Sequence, residues 1–166
     1  TIARIIAEES QQNVVELSAM GAGVSDLRKI FNDARQNRQV SAGTVIFIDE
    51  IHRFNKTQQD SFLPHMENGT IRLIGATTEN PNFELTSALL SRLIVLKLDA
   101  LSKESLETIL VRSEIEMKTQ LPTSKEGRDS LLSLAQGDAR KLINLAEIIF
   151  LSKNQLEKKD IESLCK

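Results

Sequence analysis

Three apolar runs constrain this chain most: "TVIFID" (44–49), "TIRLIG" (70–75) and "LIVLKL" (93–98). They largely lack the polar-every-second-residue pattern of a sheet with one wet face. Strands buried on both faces read this way, and segments of helical periodicity lie between the runs. That combination predicts an α/β fold with a parallel sheet. "VVEL" (14–17) reads as a further short strand.

The helices are legible from spacing. Ile2, Ile5 and Ile6 share one face of a first helix, and Val24, Leu27, Ile30, Phe31 and Ala34 mark a second amphipathic one. Asn55 followed three residues later by Gln58 resembles a capping box opening a helix through Phe62, Leu63 and Met66. Pro64 should bend or shorten that helix, and Asn68-Gly69 should stop it. After Leu101 the strand signal disappears. A helix over about 129–136 stops at Gly137, and Asp138 caps another that carries Leu142, Leu145, Ala146, Ile149 and Phe150. "KKDIESL" gives a last short helix. The expected organisation is an α/β core over 1–100 followed by an all-helical domain over 101–166.

Composition narrows the function classes. Of 166 residues 40% are hydrophobic and 27% charged, the balance of a soluble globular protein. No run of 18 apolar residues and no signal-peptide pattern occurs, so the reading is cytoplasmic, with no membrane. Cys165, the single cysteine, has no partner for an internal disulfide. A net charge of −2 confines any nucleic-acid contact to a local patch, and six Phe without Trp or Tyr disfavour a base-stacking platform.

Ligands of an open parallel sheet sit at the carboxyl ends of its strands. Asp49 and Glu50 end one such run, and two adjacent carboxylates are expensive there unless a cation compensates. An Asp in this place can hold Mg²⁺ while the neighbouring Glu faces the water that attacks a γ-phosphate. A polar turn at the surface is the plain alternative. Thr77 and Thr78 leave the next strand, where a hydroxyl can orient that water or touch phosphate, or can simply form a turn. Arg92 precedes the third run and suits either a finger reaching a neighbouring subunit's nucleotide or an ordinary surface ion pair. Arg140 falls in a helix's first turn, where a cation opposes the local dipole, so either a phosphate or solvent faces it. Arg28, Lys29, Arg35 and Arg38 form a basic stripe diluted by Asp26 and Asp33. His52 lacks a second ligand at metal spacing and reads as packed or solvent-facing.

These segments, in this order, resemble AAA+ ATPases. The likeness is greatest to the clamp-loader-like branch known as the replication-associated recombination protein A and Werner-helicase-interacting protein family. "FIDEIHRFNKTQQDSFLPHMENGTIRLIGATTENPNFELTSALLSR" is similar to that family almost throughout, and the similarity covers essentially the whole chain. The resemblance implies a parallel-sheet P-loop NTPase core followed by an all-helical lid. It implies that Asp49 and Glu50 are the Walker B pair, Thr78 sensor 1 with Thr77 the fallback, Arg92 the trans-acting finger and Arg140 sensor 2.

It further implies ATP and Mg²⁺ as cofactors, a homo-oligomer, and DNA at stalled forks or single-strand/duplex junctions together with replication proteins as partners. The setting would be cytoplasmic, nucleoid-associated if bacterial. One departure stands out: no GxxxxGK[ST] phosphate loop occurs among the 166 residues. The expectation is therefore a core lacking its first strand and Walker A loop, a fragment of a longer protein that binds ATP weakly alone. In the family's strand order the first strand would lie between the strand leading to Thr77 and the one holding Ile94. Two rival functions are a non-catalytic AAA+ adaptor or scaffold and a simple DNA-binding module.

Overall fold

The computed structural model describes residues 2–37, 43–152 and 154–164, so Arg38 and Cys165 lie outside the described residues. Two compact units divide the chain, Thr1–Leu96 and Lys97–Lys166.

The first unit opens with α1 (Ile2–Glu9) and β1 (Asn13–Ser18), followed by α2 (Val24–Asn37) and β2 (Thr44–Asp49). A 3₁₀ turn (Ile51–Arg53) leads to α3 (Lys56–Asp60), α4 (Leu63–Glu67) and β3 (Ile71–Gly75), and the unit ends with α5 (Pro81–Glu84) and α6 (Ser87–Leu90). The strands lie in the order β1-β2-β3, all parallel, with Ser18 opposite Asp49 and Ile48 opposite Gly75. The carboxyl ends of all three strands therefore emerge on one edge. β2 is central and carries the most deeply buried side chains of the sheet, Val45, Ile46 and Ile48.

Against this sheet pack Leu27, Phe31 and Ala34 of α2 together with Phe54, Phe62 and Leu89. Phe62 meets the ring of Phe31 edge-on at 5.3 Å and lies 5.9 Å from that of Phe54. The Asn55 capping box forms in full, with Gln58 N–H donating to Asn55 Oδ1 and Asn55 N–H to Gln58 Oε1. Pro64 breaks the expected helix in two, because its ring is tolerated at the second position of α4 but not in a helix interior. Gly69, at φ 70°, provides the left-handed turn into β3.

One expected strand does not form. Residues 93–98, "LIVLKL", adopt no ladder, and Ile94, Leu96 and Leu98 are 88%, 79% and 79% exposed. A strand exists only through a hydrogen-bonded neighbour, and β3 pairs with β2 alone; among the described residues no strand lies between β3 and this run. The apolar pattern is real, but the pairing it needs is missing.

The second unit is helical: α7 (Lys103–Met117), α8 (Lys125–Ala135), α9 (Ala139–Phe150) and α10 (Lys158–Ser163). Its core joins Leu106, Leu110, Leu131, Leu142, Ile149 and Ile161. Ser102, Ser124 and Asp138 cap the first three of these helices with side-chain oxygens. Arg128 of α8 pairs with Glu107 and Glu114 of α7 at 2.8 Å each. Its hydrogen bond holds the Glu114 carboxyl below the usual carboxylate range, against the opposing effect of burial.

Candidate nucleotide-hydrolysis site

The site is built where β2 and β3 end side by side. Ala76 N–H donates to Ile48 O at 2.8 Å and Ile51 N–H to Ala76 O at 3.0 Å, extending the β2–β3 pairing past the strands themselves. This zipper draws Thr77 in beside the residues that follow β2. Glu50 is in the left-handed region, φ 55° and ψ 44°, and turns the chain abruptly out of β2. Such a conformation is uncommon for a residue other than glycine and costs of order 1–3 kcal/mol, so the surroundings must hold it.

Two neighbours supply that restraint. Ile51, 1% exposed, drives into the core directly after Glu50, and its methyl groups lie over Gly75. A Cβ on Gly75 would meet Ile51 Cδ1 at 2.8 Å, so the absence of a side chain there lets the turn sit close on β3. His52, with a side chain 13% exposed, places Nδ1 at 2.8 Å from Thr77 Oγ1 and 3.2 Å from Glu50 Oε2. Glu79 N–H donates to the same Thr77 Oγ1 at 3.0 Å.

The two carboxylates have different environments. Asp49 is exposed at the tip of β2. Glu50 Oε2 is buried and makes no hydrogen bond of good geometry, although it lies within ion-pair distance of His52. An orphaned buried carboxylate oxygen is costly, and it retains its capacity to accept a proton or a water hydrogen. Beside it, Asp49 offers a hard oxygen of the kind Mg²⁺ takes in ones and twos alongside substrate phosphates. Among the described residues no group of three His, Cys, Asp or Glu is arranged as a metal cage. The donor set thus fits a shared Mg²⁺, whereas the phosphate loop that would anchor a nucleotide is not among these 166 residues.

Of the residues expected from sequence, Asp49, Glu50 and Thr77 come together at one sheet edge. Thr77 is the hydroxyl tied into the Glu50 turn, while Thr78 continues the chain away from β3. Arg92 is elsewhere. It sits with Glu67, Ile71 and Leu73 around an open cleft of 310 Å³, beside the amino end of β3. Four residue steps of strand, roughly 13 Å, separate that end from Gly75, so Arg92 is not assembled with the chain's own Asp49. Arg140 belongs to the second unit, in the first turn of α9, with its amide and that of Lys141 capped by Asp138 at 2.8 and 3.1 Å. Arg28, Lys29 and Arg35 lie on α2, interleaved with Asp26 and Asp33.

Two residues, one at this edge and one behind it, escape sequence reasoning. His52 reads as packed or solvent-facing, and its partner Thr77 lies 25 positions away, beyond any local pattern. Gln59, 2% exposed, carries no signal at all. Its amide donates to Phe54 O and Glu84 O, and its carbonyl accepts from Thr86 N–H, tying the segment after β2 to the one that leads to Arg92.

A parallel sheet whose central strand ends in an Asp-Glu pair, with a threonine from the adjacent strand beside it, is the P-loop NTPase arrangement of the AAA class. Residues 1–98 match the AAA family, the ATPase family associated with various cellular activities, and the chain belongs to it. Among curated proteins it is 46% identical over 155 residues to replication-associated recombination protein A of Escherichia coli K12, covering 90% of this chain and 34% of that protein. It is 47% identical over 152 residues to the ATPase WRNIP1 of Dictyostelium discoideum, covering 89% of this chain and 17% of that one. The chain therefore spans about a third or less of the length of these relatives. The solved structure of a Thermotoga maritima RuvB variant superposes with a TM-score of 0.75 over 98% of this chain and 55% of that one, at 24% identity, a likeness of fold.

Proposed function

We propose that this chain is the Walker B, sensor and lid portion of an oligomeric, Mg²⁺-dependent ATPase that acts on DNA in replication-fork maintenance and recombination. The carrying observation is the juxtaposition of Asp49, Glu50 and Thr77 at neighbouring strand ends, with Glu50 Oε2 buried and unbonded. The names of the curated relatives, a replication-associated recombination protein and an ATPase, support the biological setting.

Asp49 holds the cation and Glu50 accepts the proton of the attacking water. Thr77 or Thr78 contacts the γ-phosphate, Arg92 reaches the nucleotide of the adjacent subunit, and Arg140 links the helical unit to nucleotide state. Bound Mg²⁺ would neutralise phosphate charge as ATP is cleaved. With no phosphate loop in these 166 residues, the segment alone binds ATP weakly, and turnover belongs to the full-length protein. Stalled forks or single-strand/duplex junctions and replication proteins are its partners, in the cytoplasm and, in a bacterium, at the nucleoid. The cations of α2 are too diluted by Asp26 and Asp33 to favour a simple DNA-binding module.

The test is ATP hydrolysis by the full-length protein with and without Mg²⁺, in the presence of forked DNA. Mg²⁺-dependent turnover is expected. Its absence, with nucleotide still bound, would favour a non-catalytic AAA+ adaptor.

A further inference from the structure

We infer that His52 is a positioning residue that passes one N–H between Thr77 and Glu50, and so links the phosphate-sensing strand end to the base. The inference rests on the reading of Glu50 as that base. His52 Nδ1 faces two oxygens, Thr77 Oγ1 at 2.8 Å and Glu50 Oε2 at 3.2 Å. A ring nitrogen carries one proton or one lone pair, so it serves one partner well. A lone pair would point at a carboxylate oxygen, which repels it; we therefore assign the proton to Nδ1.

Thr77 then receives two hydrogen bonds, from His52 Nδ1–H and from Glu79 N–H at 3.0 Å. With both acceptor sites filled, its own O–H is directed outward as a donor, the group a phosphate oxygen requires. Glu50 Oε2 meanwhile stays without a hydrogen bond. When binding to phosphate turns the Thr77 side chain so that its oxygen leaves Nδ1, the same N–H is released to Glu50, 0.4 Å farther off (3.2 − 2.8). Substrate contact at one strand end would then fix the rotamer of the base at the next. The placement of His52 is itself rigid, because Ile51 is anchored over Gly75 on one side and Phe54 is buried on the other.

The experiment compares His52→Ala, His52→Asn and His52→Gln in the full-length protein. An asparagine amide can replace a donor at the Nδ1 position, whereas a glutamine amide reaches toward Nε2. His52→Ala should lower kcat by about ten- to a hundredfold while nucleotide Kd stays within about twofold. His52→Asn should recover more of the rate than His52→Gln. Adding Thr77→Val to His52→Ala should cost less than the product of the two single effects. If His52→Ala unfolds, the Asn-against-Gln comparison decides alone. Unchanged kcat in His52→Ala, equal rates for Asn and Gln, or simple additivity would overturn the inference. Glu50→Gln, run in parallel, separates the two readings: if it still turns over, the base assignment has failed first.

Discussion

Arg92 is clamped by Glu67: its Nε and Nη2 both donate to Glu67 Oε1, at 2.9 and 2.5 Å, while Nη1 donates to Ala88 O at 2.8 Å. Both side chains are well exposed, 40% and 54%, and an exposed pair of this kind is worth ~0–1 kcal/mol. The clamp therefore orients the arginine and releases it easily.

From that follows the first prediction. Arg92→Ala should abolish most turnover of the full-length protein while nucleotide binding persists, and Glu67→Ala should leave turnover within about twofold. Because Arg92 lies beside the amino end of β3, away from Thr77, the proposed role is one in trans. Mixing Arg92→Ala subunits with Glu50→Gln subunits should restore part of the activity, since some interfaces then pair an intact arginine with an intact glutamate. No recovery in mixed oligomers would argue that the finger acts within its own chain or not at all.

Gln59 carries the second. Its amide donates to the carbonyls of Phe54 and Glu84, and its oxygen accepts from the N–H of Thr86. Gln59→Leu keeps the volume and leaves those three backbone groups without that partner, which should cost about 2–4 kcal/mol in chemical denaturation. A loss below about 0.5 kcal/mol would mean that water or local rearrangement replaces the network.

The third concerns pH. His65 stacks on Phe31 with ring centroids 4.1 Å apart, and its Nδ1 is buried without a hydrogen bond. Burial, with the charge of Arg35 adding to it, pushes the imidazole below its ordinary value of 6.5. The unfolded chain therefore binds a proton that the folded one refuses, and stability falls as pH drops through and below 6.5. His65→Phe should flatten that part of the melting-temperature curve while keeping the ring stack. An unchanged slope would show that other groups set the pH dependence.

How much of the fold is readable from residues alone depends on how local the cause is. β1, β2 and β3, the capping box at Asn55 and the Asp138 cap are written in neighbouring residues, and each appears where its pattern falls. Pro64 likewise shortens its helix for a reason internal to one turn. The run 93–98 has an equally apolar pattern, yet a strand needs a partner elsewhere in the chain, and the pattern carries no information about whether one is present. The Asp49–Glu50 pair stands out because two charges on an apolar run are anomalous. His52 and Gln59 do not, since their roles come from atoms brought near by the register of β2 against β3 and by the return of residues 84–86.

The central claim is that Glu50 accepts the proton of the water attacking ATP. Single-turnover hydrolysis by the full-length protein carrying Glu50→Gln tests it most directly, with ATP binding followed in the same samples. The expected result is bound ATP that persists uncleaved, with the hydrolysis rate reduced by about 10²-fold or more. Cleavage at the unsubstituted rate with ATP bound normally would contradict it.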